Sequence, residues 1–322
     1  MQPLPLPLAQ AIVMFSVLIP TKSWFAPDQA LNVQVKNAAG GELTLVLMDT
    51  VGKSIDPQAA VAVNDNQTID LKVPWPQLSQ TPGTYLLLAV PKGKTVREFA
   101  GTPLVISVRG DKRSGAPPGP MVIRVDPLRY VVMSTDKGDI SMVFYYDAAP
   151  TTVATFLRLS EGGFYDGLSF HRVVPGFVIQ SGDPKGDNTG GPGFRLEAEF
   201  NSRPHREGVL SMARQPDPIE RQGAMPRPEY ANSAGSQFFI CLNYERTKQL
   251  DGRYTAFGEV ESGMEVVNEI GKLPVDPETQ KPLEAVHIKR VQVLPVTSSN
   301  NPYEKMLDLL PPQAPATVPT MP

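Results

Sequence analysis

The sequence predicts a mainly β chain built from two β domains: an immunoglobulin-like β-sandwich over residues 12–109, then a β-barrel with helix-capped ends over residues 121–297. Three observations carry this. Short apolar or alternating runs recur between residues 12 and 109, with Gly, Asn, Asp and Pro between them and no 3.6-residue period. A stretch at 109–121, "RGDKRSGAPPGPM", turns from charge to Pro and Gly, which suits a linker over 110–120. Beyond it the strands continue, joined by two helical patterns.

The elements follow in order. The start, "MQPLPLPLAQAIVMFSVLIPTK", has no basic residue before Lys22, and its only A-x-A pattern, Ala9 to Ala11, comes early for cleavage. Pro3, Pro5 and Pro7 disfavour a continuous helix there. It reads as a lead into a first strand, "IVMFSVLI", so a cytoplasmic location is expected, with an exported or periplasmic one as the alternative. Every long apolar run holds prolines, so no membrane span is expected. The sandwich strands are "IVMFSVLI", "ALNVQVKN", "ELTLVLMD", "TIDLKV", "GTYLLLAV" and "TPLVISVR". In the second domain "YVVMSTDKGDISMVFYY" is a hairpin turning at "TDKGD". "APTTVATFLRLSEGG" is a helix with Pro150 at its start, Val153, Phe156 and Leu157 on one face and Gly162 past its end. "GMEVVNEIG" is a second helix with Val266, Val267 and Ile270 inward, and "AVHIKRVQVL" is a closing strand. The tail, 298–322, has few anchoring apolar residues and reads as disordered, save a helical turn at "YEKMLDLL".

Composition narrows the function. With 322 residues, 41% hydrophobic and 20% charged, the chain can bury ordinary cores. The net charge of -3, with no clustered basic stripe, argues against nucleic acid. Three histidines and one cysteine, Cys241, make a zinc cluster or a disulfide framework hard to build, and "GDPKGDNTGG" lacks EF-hand spacing. No metal or cofactor is expected. "NTGGPGF" does not sit between a strand and a helix start, so it is not read as a phosphate loop. Ser236 lacks a G-x-S-x-G elbow, so a hydrolase triad is rejected.

One stretch holds a puzzle. In "SFHRVVPGFVIQSGD", residues 169–183, an apolar run is interrupted by Arg172, though guanidinium groups are seldom buried without partners. Pro175-Gly176 marks a turn. A two-residue loop would set Arg172 opposite Ile179, whereas a three-residue loop, Pro175 to Phe177, sets it opposite Gln180. In the second register the Gln180 amide can hold the guanidinium and ease its burial. His171 alternates away from Arg172 and reads as a structural hydrogen-bonding residue, and Cys241 as an inert core thiol.

With "GVLSMARQ" (208–215), "NSAGSQFFICLN" (232–243) and "QLDGRYTAFGEV" (249–260), this stretch resembles, in order, the signature of the cyclophilin family of peptidyl-prolyl isomerases. The resemblance covers about residues 128–295. It implies an eight-stranded antiparallel barrel with a helix at each end and an active site on its outer face. By position it implies Arg172 as the catalytic arginine and Gln180 as the residue orienting it. It likewise implies Phe177, Val178, Phe239 and Leu250 as walls of a proline pocket, with Gln237 contacting the substrate. Ala213 and Arg214 match the strand whose backbone pairs with bound peptide, and Tyr254 stands where animal members carry His. Arg214 replaces an Asn, and an enlarged loop follows it over 215–234. Gln249 replaces a tryptophan used to bind cyclosporin, so weak cyclosporin binding is expected. The resemblance implies an isomerase acting on proline-containing polypeptides and assisting protein folding. Its rival is a catalytically weak peptide-binding scaffold or chaperone. In either case the first domain would serve as a binding or spacer module for a protein partner.

Overall fold

The computed structural model describes residues 17–49, 53–56, 59–111, 119–222 and 224–304. They fall into two compact units, one running to Arg129 with a return from Pro295 onward, the other Tyr130–Leu294.

In the first unit one sheet has the order β1 (Leu18–Pro20), β3 (Asn32–Val35), β6 (Thr68–Asp70). The other runs β2 (Trp24–Phe25), β9 (Gly119–Pro127), β8 (Leu104–Asp111), β7 (Gly83–Pro91), β4 (Leu43–Asp49), β5 (Val61–Val63). Alternation in "LTLVLMD" turns Leu43, Leu45 and Leu47 to one face. There they meet Val33 and Val35 from the small sheet, with Leu87, Ile106 and Trp75 in the same core. The two layers are as far as the structure takes the immunoglobulin-like expectation. Of the first expected strand, residues 12–16 lie outside the described residues.

The linker expectation is corrected. β8 ends at Asp111 and β9 begins at Gly119, and the two strands pair antiparallel from Leu104↔Pro127 to Asp111↔Gly119. The Pro/Gly run therefore joins two neighbouring strands of one sheet, and residues 119–127 belong to the first unit, not to the barrel. Residues 112–118 lie outside the described residues. Turn-forming composition marks a break in pairing, and a hairpin connection needs one as much as a domain junction does. Within the expected tail, Tyr303 is buried and its hydroxyl donates to the Arg129 carbonyl at 2.8 Å; residues 305–322 lie outside the described residues. The helical turn expected at "YEKMLDLL" lies largely outside the described residues.

The second unit is a curled eight-stranded sheet. Its order is β12 (Arg172–Val174), β13 (Val178–Ser181), β15 (Phe238–Cys241), β14 (Val209–Met212), β16 (Ala256–Ser262), β11 (Gly138–Phe144), β10 (Arg129–Thr135), β17 (Ile288–Pro295). Backbone hydrogen bonds from Gly167 to Ile288, Ile288 to Leu168 and Phe170 to Val286, at 2.7–3.0 Å, link the segment entering β12 to the start of β17. They bring the two edges of the sheet together. Helix α1 (Pro150–Glu161) starts with Pro at its first turn and has no side-chain cap of its own. The Glu199 carboxylate supplies one by accepting from the Thr151 and Thr152 N–H groups at 3.1 and 2.8 Å. Phe156 from α1 packs on Phe144, Tyr165, Phe238 and Phe257, with ring centroids 4.9–5.6 Å apart. Helix α2 (Met264–Ile270) buries Val266, Val267 and Ile270 as its spacing predicts. Short helical turns at Pro228–Ala231 and Tyr244–Thr247 were not expected. Among the described residues no helix is long and apolar enough to cross a membrane.

Candidate active site

The hairpin β12–β13 has the three-residue register: Arg172 faces Gln180, and Val174 faces Val178. Pro175 presets the turn, and Gly176, at φ 67°, takes the left-handed position that glycine tolerates best. Across the next two strands Gln180 faces Phe239, and Phe239 faces Ser211. Arg172, Gln180, Phe239 and Ser211 thus form one cross-strand row.

Two amides hold the guanidinium. Arg172 Nη1 donates to Gln180 Oε1 at 3.1 Å, and its Nε donates to Gln280 Oε1 at 2.8 Å. Gln180 then donates from Nε2 to Gln237 Oε1 at 2.9 Å, and Gln237 Nε2 donates to the Gly190 carbonyl at 2.9 Å. Partial burial lowers the Arg172 pKa from its ordinary value of 12.5, but a guanidinium stays charged in proteins. The arginine puzzle has its answer here: the charge is braced on two sides by neutral carbonyl oxygens, with no carboxylate bonded to it.

Gln280 escaped the sequence reading. It lies 108 residues beyond Arg172 in a tight loop, at φ 60°. The Asp276 carboxylate accepts from the Glu278 and Thr279 N–H groups at 3.0 and 2.8 Å, and the Gln280 carbonyl accepts from Val173 N at 2.9 Å. The only sequence signal was turn chemistry in "DPETQK", which says nothing about what the loop touches.

Beside Arg172 an apolar cluster gathers Val178, Phe239 and Leu250 with the half-buried Phe177, Ala213 and Tyr254. Tyr254 meets Phe239 edge-on, with ring centroids 5.8 Å apart. Behind Phe239 lies His205, its ring stacked at 6.3 Å. His205 Nδ1 bonds to Asp251 Oδ1 at 2.9 Å and Nε2 to Ser211 Oγ at 3.0 Å. That is the order of a Ser-His-Asp triad, but Ser211 and His205 are each 0% exposed. With no route for substrate to Ser211, the chain of bonds braces the pocket floor.

All ten residues singled out from the sequence line one cleft of about 870 Å³. Two differ from expectation in what they offer. The Ala213 N–H is already donated to the Gln237 carbonyl at 2.9 Å. The Arg214 side chain is 2% exposed, and all five of its N–H donors are engaged within the protein. They bond to Glu220 at 3.0 and 2.6 Å, to the Gln215 carbonyl at 3.0 Å, and twice to the Arg253 carbonyl at 3.1 Å. Its guanidinium also lies 4.1 Å from the Tyr254 ring centroid. Arg214 is therefore a clamp between the enlarged loop and the pocket wall. The loop has a second clamp, Asp217 with Arg227, through two side-chain bonds of 2.9 Å and the Arg227 N–H at 2.9 Å.

His171 is 2% exposed and does not line the cleft, with Nε2 bonded to Asn188 Oδ1 at 3.2 Å. Cys241 is fully buried, and burial raises its thiol pKa strongly. Gln249 is exposed and donates to the Arg246 carbonyl at 3.1 Å.

Residues 130–293 match the family described as "Cyclophilin type peptidyl-prolyl cis-trans isomerase/CLD". A peptidyl-prolyl cis-trans isomerase of Synechococcus elongatus is 46% identical over 130 residues, 40% of this chain and 79% of that protein. The human peptidyl-prolyl cis-trans isomerase-like 3 is 37% identical over 168 residues, 51% of this chain and 94% of that protein. Among solved structures, a Cryptosporidium parvum cyclophilin type peptidyl-prolyl cis-trans isomerase, crystallised in the presence of the dipeptide Ala-Pro, is 31% identical. It covers 52% of this chain and 99% of that one, with a TM-score of 0.45.

Proposed function

The chain belongs to the cyclophilin-type peptidyl-prolyl cis-trans isomerase family, and from that premise we propose that its Arg172 cleft turns X-Pro bonds in polypeptides and so assists folding. The observation that carries this is the braced cation beside an apolar cluster: Arg172 between Gln180 and Gln280, next to Phe177, Phe239 and Leu250.

Rotation about an X-Pro bond faces a barrier of roughly 18 to 20 kcal/mol because the amide is conjugated. No covalent bond is broken, so the reaction needs no nucleophile. At the half-rotated state the prolyl nitrogen regains its lone pair. A fixed donor beside that nitrogen binds the rotated state better than either planar one, which is catalysis by differential binding. Arg172 is that donor. Its remaining N–H groups would serve the substrate in the cleft that Arg172 lines, while the two glutamine oxygens fix its plane. Phe177, Phe239 and Leu250 hold the pyrrolidine ring and exclude water, which strengthens the electrostatic term. Gln237, tied to Gln180, contacts the peptide next to the proline. Uncatalysed exchange takes tens to hundreds of seconds, slow enough to limit folding.

Exchange spectroscopy on a short peptide with one X-Pro bond tests this. The full chain should speed cis-trans exchange in proportion to enzyme concentration. A chain that binds the peptide without changing its exchange rate is a scaffold, and the proposal fails.

A further inference from the structure

The cleft has a charge pattern that the isomerase reaction itself does not call for. The whole chain is net acidic, at -3. Yet the described residues lining the cleft include Arg172, Lys185, Arg195 and Arg214 and no carboxylate. Only Arg214 is neutralised by an ion pair, with Glu220. Arg195 makes no ion pair among the described residues, and Lys185 Nζ reaches only Thr189 Oγ1, at 3.5 Å. The two carboxylates near Lys185 do not line the cleft and are hydrogen-bonded within their own loop, although Asp187 still attracts Lys185 electrostatically. Asp183 accepts from the Lys185 and Asp187 N–H groups, and Asp187 accepts from the N–H and hydroxyl of Thr189. Beside the lining residue Phe177 stands a further cation, Arg246, 5.9 Å from its ring centroid and bonded to the Pro175 carbonyl. Its neighbour Glu245 is paired with Lys248 instead.

We propose that this cleft selects X-Pro segments that carry acidic side chains on the residues flanking the proline. The proposal rests on the isomerase reading and adds its substrate class. A cleft lined by one sign of charge concentrates ligands of the other sign and speeds their capture. Like charges brought into it are penalised, so discrimination comes from repelling basic flanks as well as attracting acidic ones. The partner that fits is a polypeptide, since the cations share one cleft with the apolar cluster that would take a proline ring.

The test compares three peptides of equal length around one X-Pro bond, with Glu, Gln or Lys at the flanking positions. At 10 mM salt kcat/KM for the Glu peptide should exceed that for the Lys peptide by about tenfold. At 1 M salt, where screening acts within about 3 Å, the ratio should fall towards one. In the double variant Lys185→Gln, Arg195→Gln the low-salt ratio should drop at least about threefold. Equal turnover of the Glu and Lys peptides at low salt overturns the proposal, as does a ratio the double variant leaves unchanged. If even the Gln peptide is not turned over, the isomerase reading is what fails. Calorimetric Kd values for the same peptides then decide the charge preference by the same comparison.

Discussion

Arg172 is held by two amides of different origin, and that difference sets what each variant should do. Gln180 is tied into Gln237 and Gly190, so removing it loosens a chain of bonds. Gln280 contributes one bond from outside that chain. A single hydrogen bond is worth about 0.5 to 1.5 kcal/mol net, so Gln280→Ala should lower kcat by roughly two- to tenfold. KM should move little, and Gln280→Glu should restore an acceptor at that point. An unchanged kcat in Gln280→Ala would remove Gln280 from the positioning of Arg172. Arg214→Ala should act differently: it frees Tyr254 and the loop base, so KM for peptides should rise more than kcat falls. The sequence revealed the Arg172–Gln180 pair because both sit in one hairpin whose turn chemistry sets the register. It could not reveal Gln280, whose contact depends on how the sheet curls, nor the clamp role of Arg214, whose partners Glu220 and Arg253 lie in separate loops.

At the scale of elements, the enlarged loop 215–234 is a built wall. Arg227 beside Asp217 holds the Asp217 carboxyl well below the usual carboxylate range. A depressed folded pKa gives stability that is present above the ordinary value of 3.8 and lost only as pH falls through the lower folded value. The loop should therefore resist trypsin at neutral pH, while Asp217→Asn should be cut inside 215–234 faster under the same conditions. Equal cutting of the two proteins would contradict the clamp. Just past the end of strand β13, Gly182 has φ 87°, and an added Cβ would collide with the Ser236 carbonyl oxygen. Gly182→Ala should destabilise the barrel by about 2 kcal/mol or more, read as a lowered denaturant midpoint. Helices α1 and α2 were legible because Pro150, Gly162 and the apolar spacing agree with one another. Strand β9 was not, because "MVIRVDP" follows a Pro/Gly run that reads equally as a linker or as a hairpin connection.

For the whole molecule, the pH dependence of stability and of rate should separate. His171 and His205 are almost wholly buried, and burial holds both pKa values below the ordinary 6.5. The unfolded chain then binds more protons than the folded one just below pH 6.5. Their contribution is present above that pH and declines as pH drops towards the folded values. Chemical denaturation at pH 8, 6.5 and 5.5 should show unfolding free energy falling on the acid side, and a rise would contradict the burial. The turnover rate has no such dependence between pH 7 and 9, because Arg172 keeps its charge throughout. That contrast follows from the central claim, that one braced cation stabilises the half-rotated proline bond. The most direct measurement is cis-trans exchange of an X-Pro peptide catalysed by the wild type and by Arg172→Ala, with peptide affinity measured alongside. The account predicts a rate lower by about 10²- to 10³-fold, the loss typical of one well-aimed donor, with affinity largely kept. Equal exchange rates for the two proteins would contradict it.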